Sequence, residues 1–227
     1  MIMEYRRRRV ITMFLLAGIV IIALAIYAAW QLAQSSHSPQ GNGEALVALE
    51  ALPVKGRAPK TGYARSQFGA GWATTSGCDT RNIILARDLK QAVVSGSCKV
   101  ANGQLDDPYT GKRITFQRGS GTSTAVQIDH VVALSNAWQT GAQQLSSEQR
   151  QQLANDPLEL LAVDGPANQQ KGGGDAATWL PSHKPFRCQY VARQIAVKRK
   201  YHLWVTTGEK AAMQRVLATC PGQGVPG

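Results

Sequence analysis

Ile128-Asp129-His130-Val131-Val132-Ala133-Leu134 sets a carboxylate beside an imidazole, directly after the strand-like Val126-Gln127-Ile128. Neighbouring residues on a β-strand point to opposite sides, so both can serve one site only if the strand ends at this pair. The carboxylate would then reach a metal ion while the imidazole addresses a nearby water. Phosphodiester hydrolysis asks for both functions, a base to activate water and a divalent ion to neutralise charge on the phosphate and the departing oxygen. On its own an Asp-His dipeptide is more often a structural histidine bonded to its neighbours, so the weight falls on the residues between 146 and 172.

There, Ser146 and Gln149 form a capping-box start for a helix reaching about Ala154, and the apolar run 158–163 suits a strand. Asn155 stands just before that strand. Thirteen positions later, after the turn-like Asp164-Gly165-Pro166, Asn168 opens Asn168-Gln169-Gln170-Lys171-Gly172. Taken singly, Asn155 could simply end a helix and Asn168 cap the next one. Taken together, the spacing resembles the ββα-metal, or HNH, endonuclease pattern. In that family a hairpin presents the histidine, a helix packs across it, and the last motif residue returns to the metal from that helix.

The resemblance implies roles residue by residue. Asp129 would be a metal ligand, His130 the general base, Asn155 the residue holding the histidine loop by hydrogen bonds, Asn168 the second metal ligand, and Lys171 a neighbour of phosphate. The flanking sequence is similar to exported HNH proteins and to the nuclease domain of GmrSD-type modification-dependent restriction enzymes. It includes Cys78-Asp79-Thr80-Arg81-Asn82, Asp107-Pro108-Tyr109-Thr110-Gly111, Trp179-Leu180-Pro181 and Cys188-Gln189-Tyr190, and the likeness covers roughly residues 46–220. Two departures from the broader HNH pattern stand out: Asn in place of His at the third motif position, and no CxxC pairs for a structural zinc. An Asp plus Asn donor set offers only hard oxygens, which suits Mg²⁺, or Mn²⁺, better than Zn²⁺.

Working outward, Leu85, Leu89, Ala92 and Val93 recur at helical spacing, predicting a helix over 79–94 with Asp79 as cap and Gly96 as terminator. Ile114-Thr115-Phe116 and Val126-Gln127-Ile128 read as short strands among turns. Pro185 opens a helix carrying Tyr190, Val191 and Ile195 inward, and the capping box Thr206/Glu209 starts another reaching Leu217. Residues 44–52 suit a short helix, followed by breakers at Pro53, Gly56, Pro59 and Gly62 and by apolar anchors at Tyr63, Phe68 and Trp72. Arg81, Arg87, Arg113 and Lys198 are candidate phosphate contacts. Lys198-Arg199-Lys200 beside Tyr201, His202 and Trp204 resembles a patch for a nucleic-acid strand, in which rings stack on bases and cations track phosphates. Asp106, Asp107 and Asp175 read as turn residues.

At the amino end, Arg6 to Arg9 precede an uncharged apolar run over 10–30, about the length needed to cross a bilayer. The arginines predict a cytoplasmic end and an exported remainder. The length favours an uncleaved anchor over a cleaved signal, although Ala23-Leu24-Ala25 or Ala28-Ala29 would admit cleavage. The Gln, Ser, Pro and Gly of 31–43 make a linker. Without the first thirty residues the chain still carries 21 Lys and Arg against 13 Asp and Glu, a balance of +8 that suits a polyanionic partner. Cys78, Cys98, Cys188 and Cys220 all fall in the exported part, where disulfides persist. Short-range pairing, Cys78 to Cys98 and Cys188 to Cys220, would staple one local unit at each end of the domain. Sequence leaves connectivity open, and a zinc site is the weaker alternative.

The expectation is therefore an α+β protein with a ββα-metal (HNH) nuclease core and flanking helices. Residues 1–30 are a membrane anchor or signal segment, 31–43 a linker and 44–227 the nuclease domain. The expected activity is metal-dependent endonucleolytic hydrolysis with low sequence specificity, DNA being the favoured substrate and RNA the alternative that sequence leaves open. It would act outside the cytoplasm, from a membrane-anchored or secreted protein. The rivals are a non-catalytic exported nucleic-acid-binding protein of the same fold and an exported hydrolase of envelope polymers. The second has little support, since no paired catalytic carboxylates stand out.

Overall fold

The computed structural model describes residues 43–226. The apolar run 10–30 lies outside them, as does nearly all of the linker 31–43. Among the described residues no helix is long and apolar enough to cross a membrane. They form a mixed α+β domain built around two hydrophobic clusters.

At the centre lies an antiparallel pair, β6 (Val126–His130) and β7 (Leu160–Asp164), running from Val126 opposite Asp164 to His130 opposite Leu160. Nearly every residue of both strands is buried, because a cluster lies on each side. Val126, Ile128, Leu160 and Ala162 enter the smaller cluster with Ile84, Leu85 and Phe116. Leu161 and Val163 enter the larger one with Tyr109, Tyr190 and Ile195. The two-residue period of the strands produces this division.

Helix α5 (Gly165–Lys171) follows β7 without a loop. Asp164 caps it by accepting the N–H of Ala167 at 2.8 Å, and Pro166 sits in its first turn, the place proline is tolerated. The Asp164-Gly165-Pro166 turn is thus the helix start itself. Gly165 has to be glycine: a Cβ there would lie 2.0 Å from the carbonyl oxygen of Thr124. That close approach seats α5 against the start of β6.

Between the two strands run α3 (Leu134–Gln139) and α4 (Ser147–Asn155). The Ser146/Gln149 capping box closes α4 as the sequence predicts. The strand after it begins at Leu160, since 156–159 make the turn into it. At the carboxyl end, α6 (Arg187–Lys200) follows a short 3-10 turn at Lys184–Phe186. α7 (Thr207–Leu217) starts at the Thr206/Glu209 capping box, also as predicted. α1 (Glu44–Ala51) contributes Ala45, Ala48 and Leu49 to the larger cluster.

The predicted helix over 79–94 is corrected by the structure. Asp79 does cap it, through the N–H of Asn82, but α2 ends after Thr80–Asp88. Its apparent continuation is strand β3 (Lys90–Ser95), which pairs with β4 (Lys99–Asp106); β4 pairs in turn with β5 (Arg113–Gln117). Val93 and Val94 are β-branched and suit a strand, and their partners lie beyond the helical window. A smaller pair, β1 (Thr74–Thr75) and β2 (Cys78–Asp79), precedes α2. The disulfides join Cys78 to Cys98 and Cys188 to Cys220, the short-range pairing. The first ties the start of α2 to the β3–β4 turn, and the second ties α6 to the end of α7.

Candidate active site

The alternation of β6 sends Asp129 and His130 to opposite faces, and each meets a different set of partners. Asp129 shares its face with α5. The ammonium of Lys171, itself buried, donates to Asp129 Oδ1 at 2.9 Å and to the carbonyl oxygen of His130 at 2.7 Å. The hydroxyl of Tyr109 donates to Asp129 Oδ2. Burial first, and then the charge of Asp129, push the Tyr109 hydroxyl well above the usual phenol range, so it stays a donor. Tyr109 is held by the turn that Asp107 organises: Asp107 Oδ2 accepts from the N–H and hydroxyl of Thr110, and Oδ1 accepts the N–H of Asp164. One turn along α5, Asn168 Nδ2 donates to Gln127 Oε1 at 2.9 Å.

His130 faces the other way. Its Nε2 lies 3.0 Å from the carbonyl oxygen of Ala154 at the end of α4. A carbonyl only accepts, so Nε2 carries the hydrogen and Nδ1 keeps its lone pair. The indole of Trp72 stacks on the imidazole, with ring centroids 5.8 Å apart and planes within 5°. Burial is the main cause lowering the imidazole pKa to about 3, and the nearby charge of Arg65 is the next. The resting histidine is a neutral imidazole.

Two clefts meet at His130. One, of about 280 Å³, is walled by Trp72, the loop Gly69-Ala70-Gly71, Arg65 and His130. The other, of about 310 Å³, is walled by Asp129, Asn168, Gln127, Arg65 and His130. Asp129, His130 and Asn168 therefore share one cleft. Asn155 stands one step back. Its Oδ1 accepts the N–H of Ala73 at 2.8 Å and its Nδ2 donates to Gln151 O. It fixes the segment that carries Trp72, while its neighbour Ala154 makes the direct contact to His130.

Other sequence candidates fall elsewhere. Lys171 is enclosed by Asp129 and the His130 carbonyl, so it is internal to the site and presents no free ammonium to a phosphate. Lys198 is fully buried, bonded to the Trp204 carbonyl, Glu209, Asn136 and Thr140, and takes no part in a surface patch. Arg113 pairs with Asp106 on the exposed sheet edge, Arg81 lies over the ring of Phe116, and Arg87 holds the Pro157 and Leu160 carbonyls. Neither cleft is lined by any of them. Asp107 and Asp175 are turn residues as expected, and Asp175 also pairs with Arg57; Asp106, read as a turn residue too, instead ends strand β4, opposite Arg113.

Tyr109 and Arg65 join the site, and Glu159 holds the chain just after His130, although their sequence positions do not mark them for these places. Tyr109 lies in a quoted motif, but nothing local shows its reach to Asp129. Glu159 is fully buried, with Oε2 accepting the N–H of Val132 at 3.2 Å and Oε1 unpartnered. Burial raises its pKa well above the carboxylate range, and the charges of Asp129 and Asp156 push the same way. A glutamate between leucines gives no sign of this in sequence.

Among the described residues no three of His, Cys, Asp and Glu gather as metal ligands. A cation in this cleft would have the Asp129 carboxylate, amide oxygens such as that of Asn168, and water. Hard oxygen donors of that kind fit an ion that keeps several waters.

The fold and site define an α+β protein whose strand-end histidine stands between two clefts. The chain belongs to the family described as GmrSD restriction endonucleases, C-terminal domain, which matches residues 79–216 and so spans Asp129, His130, Asn155 and Asn168. That membership ties it to nuclease-related chemistry and to nucleic acid as the substrate class. An "Uncharacterized secreted protein" of Arthroderma benhamiae is 40% identical over 175 residues, covering 76% of this chain and 82% of that protein. No solved structure matches the chain.

The buried ionisable groups can be probed by two measurements. Glu159 has a folded-state pKa above its unfolded 4.5, so its contribution to stability is present below 4.5 and is lost as pH rises toward the folded value. Glu159→Gln keeps an acceptor for Val132 and removes that loss. Its melting temperature should exceed the wild type's at neutral pH and the gap should close below pH 4.5; a variant less stable than wild type at neutral pH contradicts this. For His130, ¹H–¹⁵N NMR at a pH below the free imidazole's 6.5 should show the neutral Nε2–H tautomer. An imidazolium signature there would refute the assignment.

Proposed function

We propose that the chain is a metal-dependent endonuclease of the ββα-metal (HNH) type, hydrolysing DNA in preference to RNA, outside the cytoplasm. The observation that carries this is the neutral imidazole of His130, fixed through Nε2 by Ala154 and walling the same cleft as Asp129 and Asn168. Family membership and the basic balance of the chain agree with it. The strand pair β6–β7 with α5 would be the ββα core.

In this reading His130 Nδ1 takes a proton from water as the water oxygen attacks phosphorus. The P–O3′ bond breaks, its electron pair leaves with O3′, which takes a proton from solvent to become a 3′-hydroxyl, and the phosphate remains on the 5′ side. An entering phosphate anion offsets the charge of Arg65 and so raises the imidazole's basicity, while burial, the larger cause of its low pKa, still acts. Asp129 and Asn168 would hold Mg²⁺, or Mn²⁺, which when bound neutralises charge on the phosphate and the leaving oxygen. Lys171 and Tyr109 orient the Asp129 carboxylate, and Asn155 and Trp72 keep the His130 side in shape. The roles given to His130, Asp129, Asn168 and Arg65 address phosphate and metal and none reads a base edge, so sequence preference is expected to be low.

Export is supported by the arginine-led apolar run 10–30, by four cysteines paired as disulfides, and by the secreted relative. The protein would be tethered by that run or released by its cleavage. A second reading, a binding protein without turnover, draws on one observation: both Asp129 oxygens are already engaged by Lys171 and Tyr109.

Supercoiled plasmid incubated with the purified protein separates the two. The wild type should nick it only with Mg²⁺ or Mn²⁺, and His130→Ala should slow cleavage by roughly 10²–10⁴-fold, with Asn168→Ala also impaired. Equal activity in all three proteins would contradict the mechanism. Salt-sensitive DNA binding with no cleavage under any metal would select the binding protein.

A further inference from the structure

Most arginines of the described residues are committed to structure. Arg57 pairs with Asp175 and Arg113 with Asp106, Arg87 and Arg193 hold the carbonyls of Pro157 and Leu160, and Arg150 holds those of Leu145 and Gln67. Arg65, like Arg199 and Arg215, is exposed, and among the described residues its guanidinium has no hydrogen-bond or ion-pair partner. Its place sets it apart. It walls both clefts, as do only His130 and Leu134 besides, and it is near enough to the imidazole for its charge to act there.

Its backbone is nonetheless fixed. Arg65 opens a 3-10 turn, Arg65–Phe68, closed by Gln67 N–H to the Ala64 carbonyl and Gly69 N–H to that of Ser66. Phe68 at the end of the turn is buried, with edge-to-face contacts to Tyr63 and Trp138. Arg150 Nε, from α4, donates to the Gln67 carbonyl at 2.8 Å. An unpartnered guanidinium on a hydrogen-bonded turn, with no carboxylate paired to it among the described residues, presents an unbalanced positive charge at the junction of two clefts. Such a preorganised cation favours an anion placed beside the histidine, and a guanidinium grips phosphate oxygens in pairs.

We propose that Arg65 is the phosphate-binding residue of this site, holding a backbone phosphate of the nucleic acid at the junction of the two clefts beside His130. The proposal rests on the nuclease reading for its reaction, but the contact itself is one of binding. Arg65 joins the substrate side of the site, whereas Lys171, predicted for phosphate from sequence, belongs to its interior.

The test measures two quantities on the full chain: affinity for a labelled DNA duplex in EDTA across a salt series, and metal-dependent cleavage. Arg65→Ala should flatten the slope of log affinity against log salt by about 0.9, the value for one lost phosphate contact on duplex DNA, and slow cleavage by roughly 10²–10³-fold. Arg65→Lys should regain the salt slope and only part of the rate, since an ammonium keeps the charge without the paired geometry. Arg113→Ala removes an equal charge on the sheet edge and should leave both nearly unchanged. Arg65→Ala behaving like Arg113→Ala would overturn the proposal while leaving the nuclease reading intact. A wild type that binds but never cuts, with the slope still falling on Arg65→Ala, would overturn that reading and keep this contact. No DNA binding by the wild type would overturn both.

Discussion

The ammonium of Lys171 reaches two acceptors at once, Asp129 Oδ1 and the carbonyl oxygen of His130, and both faces of the site are referenced to it. It joins the last turn of α5 to the end of β6. An ion pair taken out of water contributes little net stability relative to apolar packing, but removing one partner strands a buried charge at a cost of about 3–5 kcal/mol. The pair therefore acts as a registry device. Helix and strand must meet in one relation for the charges to cancel, and Tyr109 closes the remaining carboxylate oxygen with a donor that burial keeps protonated.

With α5 and β6 locked, the two-residue period of the strand does the rest. Asp129, directed to α5, lies on the face of Gln127 and Asn168. His130, one residue on, is turned toward α4, where the carbonyl of Ala154 sets its tautomer and Trp72 covers its plane. The order of elements between the strands matters here. α4 must finish just before β7 for Ala154 to stand opposite His130, and the capping box at its start and the turn at 156–159 fix its two ends. Arg87 and Arg193 fasten that turn through its carbonyls. A site of few polar groups is thus positioned by a larger number of backbone contacts.

Much of this frame is legible in sequence because its signals are local. Capping boxes announce α4 and α7, the Asp-Gly-Pro turn marks the junction of β7 and α5, and Asp129, His130 and Asn168, picked out by their spacing, do wall one cleft. What sequence misses depends on partners far along the chain. The strand 90–95 reads as helix because its apolar spacing fits both periods and only its pairing with 99–106 decides. Lys198 reads as a surface cation because its acceptors come from α3, the chain after α6, and α7. Lys171, expected beside phosphate, turns out internal for the same reason: which lysine or arginine finds a buried acid is a property of the packed molecule.

A double-mutant cycle on Lys171→Met and Asp129→Asn, read by denaturant unfolding, tests the central interaction most directly. If the pair is the registry contact, each single change destabilises the domain by about 3–5 kcal/mol. The double variant then loses markedly less than the sum, with a coupling of about 2 kcal/mol or more. Losses that add to within about 0.5 kcal/mol would mean that the two charges do not depend on one another, and the account of how this site is held would fail.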